Sequence, residues 1–60
     1  MSIFEVVVTG TQYVEGGDVE ACELTFMVAA DTDEQAIVSI TTGLRVRSLE
    51  TVTNVRTVRL

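Results

Sequence analysis

The sequence predicts an α+β domain in the order ββαβ, with a three-stranded, mainly antiparallel sheet and one helix on one face. Three observations predict it. Two runs rich in β-branched and aromatic residues flank Glu15-Gly16-Gly17-Asp18, which is a hairpin signature. A helix-opening cluster follows at Asp31-Thr32-Asp33-Glu34-Gln35. A third β-rich run closes the chain from Val52 to Leu60.

The first run, Ile3 to Thr9, reads as a strand that extends to about Val14. The glycines of the turn take positive φ without steric cost. Residues 19–30 form the second strand. Strand pleating sorts side chains by parity. Phe4, Val6 and Val8 share a face with Cys22, Leu24, Phe26, Val28 and Ala30. The opposite face carries Ile3, Glu5, Val7 and Thr9, then Glu23, Thr25 and Met27. A sheet face turned to water normally alternates more cleanly. Ile3, Val7 and Met27 therefore predict a covered patch, and a contact between copies of the chain.

Asp31 with Glu34, or Thr32 with Gln35, supplies a capping box. Ala36, Ile37, Ile40 and Leu44 lie on one helical stripe, with Val38 off it and Gly43 at the expected helix end. Residues 44–49 fit either a short strand or a last helical turn. Val52, Val55, Val58 and Leu60 do not alternate strictly. A bulge, or burial on both faces, would account for this. The expected core is Phe4, Val6, Val8, Leu24, Phe26, Val28, Ile37, Ile40 and Val58.

Sixty residues form one domain, residues 1–60. A domain of this size buries only about 60% of the surface its unfolded chain exposes. Disulfides cannot reinforce it, because Cys22 is the sole cysteine. Histidine is absent, so the usual zinc ligand sets are too. Self-association is the remaining support. Apolar residues make up 47% of the chain, which suits a globular protein. No apolar run is long enough for a membrane span. The first residues lack a basic flank, and with the lone thiol this leads to the expectation of a cytoplasmic protein.

The chemistry of catalysis is sparse. The chain has no histidine and no lysine, which removes two common acid–base groups. Cys22 falls on an inward strand position, where packing explains it. Asp31, Asp33 and Glu34 resemble the opening of a calcium loop, but Ala36 and Thr42 stand where that loop needs glycine and glutamate. Gly10, Gly16 and Gly17 belong to no phosphate-binding motif and read as turn or bulge residues. The expectation is therefore no enzyme, no metal and no cofactor.

Charge is distributed unevenly. Residues 1–43 hold eight acids and no base, whereas residues 44–60 hold Arg45, Arg47, Arg56 and Arg59 against Glu50. Arginine's planar fork suits phosphate and carboxylate, so these four are the candidate ligand-binding residues. A solvated strand face, or pairing with Glu5, Glu20 or Glu23, is the simpler explanation of them, because surface charge is the default. The net charge of −5 argues against duplex nucleic acid.

The alternating valines of the first strand, the Gly-Gly turn, Val28-Ala29-Ala30, "DTDEQAI" and the closing "VTNVRTVRL" together resemble small phage-encoded proteins. That resemblance implies a host cytoplasm as the setting and inhibition or sequestration of a host factor as the role. The four C-terminal arginines depart from the acidic type that mimics DNA. The leading expectation is a non-catalytic inhibitor or adaptor acting on a host protein as a homo-oligomer. The alternative is a sponge for a small anionic, nucleotide-like ligand held by arginines at subunit interfaces. An enzyme whose site forms only between subunits has the least support among the residues.

Overall fold

The computed structural model describes residues 1–60. Strands β1 (Ser2–Tyr13) and β2 (Val19–Ala30) form a hairpin, followed by helices α1 (Asp33–Thr41) and α2 (Leu44–Arg47) and strand β3 (Thr51–Arg59). All pairing is antiparallel, in the order β2-β1-β3. The ββαβ architecture expected from the sequence is the one observed, with α2 as an added turn of helix.

The hairpin turns where the glycines permit it, with Gly16 at φ +93° and Gly17 at φ +83°. The Val14 amide donates to the Asp18 carbonyl at 2.9 Å and closes the loop. Register runs from Ser2 opposite Ala30 to Tyr13 opposite Val19. Strand β3 covers β1 only from Phe4 to Thr11, so the far end of the hairpin extends past the third strand. The molecule is accordingly long, at 43 × 17 × 14 Å.

At the start of α1 the Thr32 hydroxyl accepts from the Gln35 amide at 3.2 Å. The Gln35 side chain reaches back to the Asp31 amide at 3.0 Å. The Thr32–Gln35 box is therefore the one used, with its return bond one residue earlier than in the usual pattern. Such a cap contributes about 1 kcal/mol. Asp33 and Glu34 occupy the first turn, where the helix dipole favours negative charge. The helix ends with Thr42 as its C-cap, and the Gly43 amide donates to the Ile40 carbonyl at 3.0 Å.

The core lies between α1, α2 and one sheet face. Phe4, Val6, Val8, Ala30, Ala36 and Val46 are buried together, with Phe26, Val28, Ile40, Leu49 and Val55 packed against them. The expected core is corrected at Val58 and the expected helical stripe at Leu44, and Leu24 and Ile37 are half-buried outside the buried cluster. Val58 lies opposite Glu5 on the far face and is 47% exposed, because Val55 is the residue that meets Val8. Leu44 is 81% exposed, because the chain restarts as α2 after Gly43 and turns Val46 inward instead.

The broken alternation in β3 has a bulge as its cause. Thr9 faces Asn54 and Gly10 faces Val52, leaving Thr53 without a partner. The Thr53 hydroxyl donates to the Thr9 carbonyl at 3.0 Å. The extra residue puts Val52 and Val55 on the same side although they are three positions apart. No helix is long and apolar enough to cross a membrane.

Candidate functional site: the open sheet face

The helices cover one side of the sheet and leave the other bare. Register places Ile3, Glu5, Val7 and Thr9 of β1 on that bare face, beside Ala29, Met27, Thr25 and Glu23 of β2. Val58, Arg56 and Asn54 of β3 complete it. The Leu60 amide donates to the Ile3 carbonyl at 2.9 Å and extends the face by one more apolar residue. Met27 is 60% exposed, Val58 47% and Ile3 46%, while Val7 in the central strand is only 5% exposed. Scattered single apolar residues are ordinary on a surface, whereas these four are neighbours across the three strands.

The expected residues Ile3, Val7 and Met27 do lie together on this face. Val58 belongs with them and was missed, because its face depends on a bulge whose position the sequence leaves open. Glu5 stands in the middle. It is flanked along β1 by Ile3 and Val7, and across the strands by Met27 and Val58.

The four arginines do not converge within the chain. Arg45 and Arg47 lie on α2, two residues and so roughly 200° apart around the helix. Arg45 lies over the Phe26 ring, and Arg59 over the Phe4 ring, each 5.3 Å from the centroid. Arg56 points to the bare face, opposite Val7. An anion bound by all four would need several copies of the chain. The only ion pair joins the Met1 ammonium to Asp31 at 3.7 Å, so Glu5, Glu20 and Glu23 take no arginine.

Other chemistry is thin. An open cleft of about 500 Å³ lies among Phe4, Thr32, Asp33, Thr57 and Arg59. Cys22 is half-buried opposite Gly10. No three carboxylate or thiol groups gather as a metal site would require.

One carboxylate is perturbed. Glu50, at the entry to β3, accepts hydrogen bonds from the Thr51 hydroxyl and from the Thr11 hydroxyl, the latter at 2.8 Å. These donors, Thr51 more than Thr11, hold its carboxyl below the usual range. A group with a lowered folded-state value stabilises the fold above the ordinary carboxylate range. That contribution is lost as pH falls through the folded value. Glu50→Gln should therefore flatten the acid limb of a stability–pH curve. Superimposable acid limbs for variant and wild type would show that the clasp does not couple to folding.

Comparison with family models, with curated proteins and with solved structures returns no match.

Proposed function

We propose that the chain is a non-catalytic binding protein that acts as a homo-oligomer, in the manner of a phage-type inhibitor or adaptor directed at a host protein. The observation that carries this reading is the uncovered sheet face with Ile3, Val7, Met27 and Val58 at its centre. A second copy is the occupant favoured here. The face carries both signs of charge, with Glu5 on the central strand, Glu23 on β2 and Arg56 on β3, so it can complement itself. A small core also gains most from a partner that is always present at its own concentration.

Oligomerisation through this face leaves the outer edge of β2 free. Glu20 and Glu23 lie on that strand with no base beside them. An extended, basic segment of a partner protein is the occupant that such an edge suits, by strand addition.

Met27→Glu tests the self-contact. Met27 is 60% exposed in the single chain, so the variant should fold normally. Burying its carboxylate in a contact would cost several kcal/mol. Light scattering on the eluting peak should give the mass of an oligomer for wild type and of a single chain for the variant. An oligomeric variant would place the contact elsewhere.

A further inference from the structure

Glu5 is an odd residue for the centre of a contact. Its four nearest neighbours on the face are Ile3, Val7, Met27 and Val58. Covering it with an apolar surface would strand a carboxylate, at a cost of several kcal/mol. Whatever covers the face must bring a cation to that spot. The face has one cation of its own, Arg56, which lies opposite Val7 and makes no ion pair within the chain.

We propose that the open-face contact is two-fold, and that Glu5 of each copy is taken by Arg56 of the other. This rests on the self-association proposed above and specifies how it is held. A two-fold axis crossing the strands between the Glu5 and Val7 rows reverses one sheet over the other. It seats Glu5 of one copy above Val7 of its mate, one strand away from that mate's Arg56. Sheets stacked face to face are about 10 Å apart, a gap that an arginine and a glutamate span from opposite sides. Symmetry makes the pair twice. The same axis stacks β2 on β2 and β3 on β3, so Met27 meets Thr25 and Val58 meets the stem of Arg56. The apolar ring is then closed over by its own copy, and no charge is left without a partner at the centre.

The pairing makes a sharp test. Glu5→Arg leaves two cations per copy at the contact, and Arg56→Glu leaves two acids. Each variant alone should self-associate roughly 100-fold more weakly, because like charges now meet at both pairs. Mixed in equal amounts, the two should associate again, since every acid then faces an arginine. The double variant carrying both changes should self-associate like wild type. Sedimentation equilibrium reads all four samples, and far-UV circular dichroism checks that each is folded.

If the single variants associate as tightly as wild type, the pairing is wrong although the self-association stands. If both weaken and neither mixing nor the double variant restores association, the charges lie in the contact but do not meet each other, which also overturns the pairing. A monomeric wild type fails at the earlier step and removes the contact itself.

Discussion

Replacing Gly10 with alanine is expected to destabilise the fold by about 3 kcal/mol or more, at the upper end of what overpacking costs. A Cβ built at Gly10 would lie 2.1 Å from the Thr51 carbonyl oxygen, 3.1 Å from its carbon and 3.2 Å from the Val52 Cα. All three are backbone atoms, so no side chain can swing aside. The backbone itself is held in place. The Glu50 amide donates to the Thr11 carbonyl at 2.8 Å just before it, and the Thr53 bulge lies just after. Relief would require β3 to leave β1. A 60-residue domain has only roughly 3–9 kcal/mol of total stability, so the variant should lose about a third of it or more and melt well below wild type. Thermal unfolding followed by circular dichroism measures this. A midpoint within a few degrees of wild type would mean that β3 enters the sheet differently.

Phe4→Ala is expected to cost about 3–5 kcal/mol, the usual range for deleting a buried aromatic ring. Phe4 is 3% exposed and is the largest side chain in the buried cluster. Its ring also carries the Arg59 guanidinium at 5.3 Å, a contact worth about 0.5–1 kcal/mol at an exposed site. Arg59→Ala removes only that smaller part. Phe26→Ala should cost less than Phe4→Ala, because Phe26 is half-buried at the sheet's edge strand. Urea unfolding of the three variants gives the ordering. Equal losses at Phe4 and Phe26 would contradict a core centred on β1.

The hairpin was legible because three independent signals agree: strand composition, the paired glycines and side-chain parity. Parity alone sorted the faces of β1 and β2 correctly. The helix start at residues 31–35 was legible from its capping-box residues, but the sequence offered two overlapping boxes, and only the structure selects Thr32 with Gln35. The region from Gly43 to Leu49 was not. Leu44-Arg45-Val46-Arg47 alternates like a strand, yet four residues make one helical turn just as well, and only the position of α1 decides which apolar residue turns inward. Non-alternation in the last strand suggested a bulge, and Gly10 was open to that reading. Neither signal placed the extra residue at Thr53, so Val58 was assigned to the wrong face. The arginines were hardest to read. Odd spacing puts Arg56 and Arg59 on opposite faces of a strand, but which of them joins the bare face depends on the register after the bulge at Thr53.

Within one chain, the open face has an apolar ring, a central acid and a lone arginine, and the proposed role requires that a second copy cover them. Sedimentation velocity on wild-type protein, from low micromolar to millimolar concentration, tests that most directly. The account predicts a concentration-dependent shift from a single chain to a discrete dimer or a higher closed oligomer. One sedimenting species with the mass of a single chain at every concentration would contradict it.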